Sequence, residues 1–268
     1  MPTFICKTCG VQYPESMESS AHCLICEDER QYVPVSGQEW LTYADFVANH
    51  RNDVRVEEPN LLGIGVTPKF AIGQRALLVQ TPQGNVLWDC VALIDDETRA
   101  KINTLGGVQT IALSHPHYYS AIVEWSRAFR DVPVYIHEHD RAWVTRPDPC
   151  IRFWQGETLS LLDGVTVINC GGHFEGSCVL HWRDSAEGKG VLLTGDSIYV
   201  VADHRYVSFM YSYPNLIPLA ATKIHQVATS VAGFAFDRIY AAWFDAMILH
   251  DAKQCVQRSA ERYIRAIS

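Results

Sequence analysis

No apolar run in the sequence approaches the roughly 18 to 20 residues that would cross a bilayer. The opening Met1-Pro2-Thr3-Phe4 lacks the basic-then-hydrophobic order of a secretory leader. Positive charge is also scarce: 22 Lys and Arg face 30 Asp and Glu, a formal charge of -8. That balance argues against nucleic acid as the principal partner, because phosphate binding draws on positive charge. Internal repeats and low-complexity tracts are missing as well, which excludes fibrous and collagen-like classes. What is present is the composition of a folded domain, 48% hydrophobic and 19% charged over 268 residues. We read a cytoplasmic, non-membrane protein with one large core and at most one small additional unit.

Cysteine divides the chain. Of nine cysteines, four fall in the first 26 positions as Cys6-x-x-Cys9 and Cys23-x-x-Cys26, and Cys90, Cys150, Cys170, Cys178 and Cys255 are scattered. The 13 residues between the pairs allow a hairpin that returns Cys23 and Cys26 beside Cys6 and Cys9, so that four thiolates surround one ion. Gly10 follows the first pair and supplies the positive φ of a tight turn, whereas Glu27 follows the second. A segment of residues 1–33 buries too little surface to stand alone, so metal would supply much of its folding free energy. The stretch resembles a zinc ribbon and also the iron-carrying rubredoxin-like modules. Zinc is the expected ion, since nothing else points to a redox partner. Four sulfurs close the site, which makes it structural, with docking of a protein partner or homodimerisation as its expected use.

From 34 to 268 the pattern is strand and helix in alternation. Trp40 to His50 reads as a helix or irregular cover. Ala76–Val79 and Asn85–Trp88 read as a hairpin about Pro82-Gln83-Gly84, Asp95–Leu105 as a helix, and Gln109–Leu113, Val132–Ile136, Val165–Asn169, Cys178–Trp182 and Val191–Thr194 as strands. A helix near Pro218–Val231, a strand at Arg238–Ala241 and an amphipathic helix through Ala266 complete it. Three polar clusters follow apolar strands, where rigid sheets present side chains on loops. They hold His115 and His117, His173 after Gly171-Gly172, and Asp196 after Gly195. Spacing of i and i+2 in an extended segment would point His115 and His117 the same way. Three imidazoles and a carboxylate suit zinc, manganese or iron.

Ser114-His115-Pro116-His117, Gly171-Gly172-His173-Phe174-Glu175-Gly176 and Thr194-Gly195-Asp196, in this order, resemble the metallo-β-lactamase superfamily from roughly Arg75 onward. The resemblance implies an α/β four-layer αββα sandwich with its metal site at one edge and up to two ions. It also implies hydrolysis of esters, thioesters, lactams or phosphoesters. Carried over by position, His115, His117 and His173 match the first-metal histidines and Asp196 the bridging carboxylate. The family pattern H-x-H-x-D-H departs here to His115-Pro116-His117-Tyr118-Tyr119-Ser120, and Ala242-Trp243-Phe244 stands where the last histidine is expected. Second-metal ligands are therefore missing, and a single divalent ion is expected at the histidine site, with Asp196 and an oxyanion-donating Tyr119 as catalytic groups.

The function expected is metal-dependent hydrolysis of a small-molecule ester, thioester or lactone at this reduced site. The alternative is a non-catalytic metal-binding scaffold that docks a partner through the ribbon. His137-Glu138-His139-Asp140 imitates a ligand motif but reads as a helix cap with surface charges. The aromatic stretch Phe209–Pro214 reads equally as a pocket wall and as core.

Overall fold

The computed structural model describes residues 1–268. The cysteine segment opens with β1 (Phe4–Cys6), which pairs antiparallel with β2 (Trp40–Thr42), beyond the second cysteine pair. Helix α1 (Tyr43–Asn49) follows, capped by Thr42 Oγ1, which accepts from the Asp45 amide. Trp40 to His50 is thus a short strand running into a helix.

One sheet has seven strands in sequential order: β3 (Arg51–Glu58), β4 (Leu61–Thr67), β5 (Ala76–Thr81), β6 (Gly84–Trp88), β7 (Thr110–Ala112), β8 (Val134–His137) and β9 (Ile151–Trp154). Its first three pairings are antiparallel and its last three parallel. Helices α2 (Asp96–Thr104) and α3 (Ile122–Ala128) connect the parallel strands. The β5–β6 hairpin turns at Pro82-Gln83, with Thr81 Oγ1 accepting from the Gln83 amide and donating to the Gly84 carbonyl. Helix α2 starts where Asp95 accepts the Thr98 amide at 2.7 Å and ends before Gly106 and Gly107, both at positive φ.

The second sheet runs β10 (Thr158–Leu162), β11 (Val165–Asn169), β12 (Cys178–Trp182), β13 (Val191–Leu193), β18 (Arg238–Tyr240) and β19 (Met247–Ile248), with only β13–β18 parallel. Four strands of two or three residues lie between β13 and β18: β14 (Tyr199–Val200), β15 (Val207–Ser208), β16 (Met210–Ser212) and β17 (Ile217–Pro218). Helices α4 (Ala221–Ala232) and α5 (Ala252–Ile267) complete the chain.

Alternation along the strands sorts side chains into three cores. Leu77, Val79, Val86 and Trp88 of the first sheet pack with Val165, Val167, Leu180 and Leu193 of the second. Leu78 and Leu87 face Ile102, Ile122 and Trp125 of α2 and α3. Ile168, Val179 and Leu192 face Ile224, Val227, Cys255 and Val256 of α4 and α5. The first sheet begins well before Arg75. The edge strand β3 is largely charged, and in β4 Leu62, Ile64 and Val66 alternate with Gly63 and Gly65, residues of low strand propensity. No helix is long and apolar enough to cross a membrane.

His181 on β12 is buried, and its Nε2 lies 2.7 Å from the Ala235 carbonyl. Burial lowers its pKa from the ordinary 6.5. Below that pH the unfolded chain takes up a proton that the folded chain refuses, so this contribution to stability is present above pH 6.5 and is lost as pH falls. Replacing His181 by Gln, which keeps a donor, is expected to make the melting temperature less acid-sensitive. The gap between variant and wild type should move in the variant's favour between about pH 7 and pH 5; parallel melting curves across that range would contradict it.

Candidate metal centre

The site is built from the chain ends of β7, β11 and β13. After Ala112 the backbone is clamped on both sides: the Ser114 amide donates to Asp89 Oδ1 at 2.7 Å, and the Ser114 carbonyl accepts from the Cys178 amide of the second sheet at 2.8 Å. His115 is extended, and Pro116–Tyr118 form a single 3-10 turn. That turn, rather than an extended i, i+2 alternation, brings the two imidazoles together at 5.1 Å between ring centres. Gly195 sits at φ +51, and a Cβ there would lie 2.6 Å from Ser114 Oγ, so only glycine lets the Asp196 loop approach the histidine loop.

Four donors converge. Asp196 Oδ2 lies 3.3 Å from His115 Nε2, 3.8 Å from His117 Nδ1 and 4.0 Å from His173 Nε2. His173 Nε2 is 3.4 Å from His117 Nδ1, and all four ligand atoms lie within 4.8 Å of one another. Four ligands about 2.0 to 2.2 Å from a tetrahedral ion would stand about 3.3 to 3.6 Å apart. All four residues are buried, and His115 Nε2 has no hydrogen-bond partner. A buried donor set of this spacing, with one nitrogen unpaired, fits a divalent cation.

The surroundings prepare each ligand. His115 Nδ1 pairs with Ser114 Oγ at 2.8 Å, and His173 Nδ1 with the Met210 carbonyl at 3.1 Å, which leaves both Nε2 atoms facing inward. Burial, reinforced by the neighbouring imidazoles, holds His173 well below the ordinary 6.5, and burial likewise lowers His117. Both are therefore neutral and keep a lone pair for a metal. Burial alone would raise the Asp196 carboxyl, but the three histidines outweigh it and keep it ionised. Its Oδ1 accepts from Gln74 Nε2 at 3.4 Å, and the Tyr213 hydroxyl donates to its backbone carbonyl at 2.7 Å. Burial pushes Asp89 up to about 7.

Other residues singled out in the sequence lie elsewhere or play different parts. Tyr119 is buried in the core of the first sheet, with Asp140 as its charged neighbour, and Ser120 donates to the Cys90 carbonyl. The Ala242 carbonyl receives the Arg75 amide and the Tyr118 hydroxyl, and Trp243 packs edge-on to Tyr199. His137 does cap the following turn, but Asp140 is fully buried rather than a surface charge, which is a correction. Its Oδ1 accepts the Gly176 amide at 2.8 Å on the His173 loop, and burial pushes its pKa up to about 6. Its place directly after the i, i+2 pair His137 and His139 was its only sequence signal. The 209–214 stretch divides: Phe209 joins the second core, Tyr213 lies 5.8 Å from the His173 ring, and Tyr211 faces Arg30.

At the N terminus Cys6 and Cys26 Sγ are 3.6 Å apart, as are Cys9 and Cys23, and all four sulfurs lie within 4.8 Å. These separations exceed a disulfide and approach the sulfur spacing of about 3.8 Å around a tetrahedral ion with bonds of about 2.3 Å. The Thr8 and Cys9 amides point at Cys6 Sγ, and Gly10 takes φ +80. The segment packs on its own chain beside the histidine site. Thr145 Oγ1 donates to the Gln12 carbonyl, Ser212 Oγ to that of Arg30, and a cavity of about 30 Å³ is lined by Cys9, Gly10, Gln74, His117 and Ser120.

Comparison with known proteins agrees with this geometry. The DIM-1 metallo-β-lactamase superposes with a TM-score of 0.60 at 12% identity, covering 81% of this chain and 99% of that one. VMB-1 gives 0.59 at 12% identity, covering 81% and 99%. FIM-1 from Pseudomonas aeruginosa, solved in a mono-zinc form, gives 0.57 at 15% identity, covering 79% and 95%. No protein-family model matches the chain. The uncharacterized protein YmaE of Bacillus subtilis (strain 168) is 52% identical over 270 residues, spanning 100% of this chain and 98% of that protein. The chain therefore belongs to the family of YmaE and has the metallo-β-lactamase fold, with a four-cysteine cluster at its N terminus.

Proposed function

We propose that the protein is a metal-dependent hydrolase that holds one divalent ion between His115, His117, His173 and Asp196 and cleaves a small-molecule ester, thioester or lactone. The observation that carries this reading is the convergence of three imidazoles and an ionised carboxylate in a buried space, with donor spacings that match a coordination shell. An ion held there would supply Lewis acidity and water of lowered pKa. Several contacts support a single ion. Asp196 Oδ1, the free oxygen for a second metal, is taken by Gln74, and Ser120 and Ala242 are engaged with backbone groups. Tyr213 and Trp243 fill the adjoining space around Tyr199.

The chain's own residues then divide the work. Ser114 and the Met210 carbonyl fix the imidazole orientations, while Gln74 and Tyr213 hold Asp196. Asp140 holds the His173 loop through the Gly176 amide, and Tyr119 is packed in the core beside it. Zinc is our choice for both clusters. The docking reading of the cysteine segment rests on Met17, Leu24, Val33 and Val35, which are apolar and exposed.

Metal analysis should find about two equivalents per chain, falling to about one when His115 and His117 are both replaced by Ala. One equivalent in both proteins would contradict the histidine centre. In a screen of esters, thioesters and lactones, Asp196→Asn should lower kcat/KM about 100-fold or more. Equal rates in variant and wild type would defeat the hydrolase reading.

A further inference from the structure

Arg30 follows the last cysteine by four residues and reaches over the histidine site. Its guanidinium carbon lies 4.0 Å from the centre of the Phe174 ring, 4.8 Å from Tyr211 and 5.5 Å from Trp143. Phe174 is in turn packed edge-on to His117 at 5.1 Å and His173 at 5.0 Å, so one aromatic ring joins the cation to the metal ligands. The Arg30 side chain is only 16% exposed, and both Nε and Nη1 are buried without a hydrogen-bond partner. Nη1 makes an ion pair with Asp28 Oδ1 at 3.4 Å, and the same oxygen accepts from the Arg30 amide.

The backbone that carries Arg30 is held firmly. Its carbonyl accepts from Ser212 Oγ at 3.1 Å, and Asn215 Nδ2 donates to the carbonyls of Glu29 and Gln31, both at 2.9 Å. Tyr211 donates to Glu29 Oε1 at 2.6 Å. The Asp28 ion pair and the aromatic rings leave Arg30 Nε and Nη1 without a hydrogen-bond acceptor, and a guanidinium with buried donors left unfilled is costly. Its planar fork matches the paired oxygens of a carboxylate or phosphate. Charge at the site reinforces this. A divalent ion held by a single carboxylate would keep net positive charge, and Arg30 would add to it.

We propose that Arg30 is the substrate-binding residue of the metal centre and that it selects substrates carrying an oxyanion, a carboxylate or phosphate, near the hydrolysed bond. The inference rests on the hydrolase reading for turnover but not for binding, and the two are tested apart. Paired thioesters with a neutral, a carboxylate-bearing and a phosphate-bearing acyl group would be compared in metal-loaded wild type, Arg30→Met and Arg30→Lys. The Met variant keeps much of the apolar contact with Phe174; the Lys variant keeps the charge without the fork.

Wild type should prefer an anionic substrate through KM. That preference should fall about 10- to 100-fold in Arg30→Met and be partly restored in Arg30→Lys. The better of the two anionic substrates identifies the group. Equal preference in wild type and Arg30→Met would overturn the inference while leaving hydrolysis intact. If no thioester is turned over, calorimetric titration with succinate and with inorganic phosphate decides. Binding to metal-loaded wild type that is lost in Arg30→Met supports the assignment, and absence of binding, or equal binding to both, overturns it. Retention of metal by the four cysteines in each variant shows that the segment remains folded.

Discussion

The structure turns on four polar atoms being forced together out of water. Three imidazole nitrogens and a carboxylate oxygen share a space too small for each to find its own partner, and every one of the residues is buried. Without a cation this arrangement leaves His115 Nε2 unpaired in a low-dielectric setting, at a cost of about 1 to 3 kcal/mol. With a cation the same arrangement is a coordination shell. The surrounding chain is built to maintain it: a clamped Ser114, a glycine at 195 that no side chain replaces without collision, and Asp140 fixing the Gly176 amide.

The sheets make this convergence rigid. The three ligand loops leave β7, β11 and β13, strands buried in the cores of two sheets, and the Ser114 carbonyl to Cys178 amide bond ties one sheet to the other at the site itself. The cysteine segment adds a second constraint from outside. By packing Cys9 and Gly10 near His117, and Arg30 over Phe174, it forms part of the wall of the histidine site. A metal bound by the cysteines would therefore shape the environment of the metal bound by the histidines.

Much of this was legible in the sequence, for local reasons. The paired cysteines, the histidines at strand ends and the glycines before His173 and Asp196 are short-range signals, and the structure brings their side chains together. The β5–β6 hairpin and helix α2 were equally plain, because turn and capping residues announce them. Strands β3 and β4 were not, since charge on an edge strand and glycine within the next both lower strand propensity, although Leu62, Ile64 and Val66 alternate. The 3-10 turn at Pro116 was read as extended chain, for Pro tolerates both. Gln74 was illegible as a neighbour of Asp196 because it arrives from a distant segment, and Asp140, though within a ligand-like motif, is tied to the His173 loop only by its bond to the Gly176 amide.

Anomalous diffraction from crystals of the full-length protein, recorded on both sides of the zinc absorption edge, tests the central claim most directly. The account predicts a peak enclosed by His115 Nε2, His117 Nδ1, His173 Nε2 and Asp196 Oδ2, separate from the peak at the cysteines. A peak at the cysteines alone, with the four histidine-site side chains hydrogen-bonded to waters or neighbours, would contradict it.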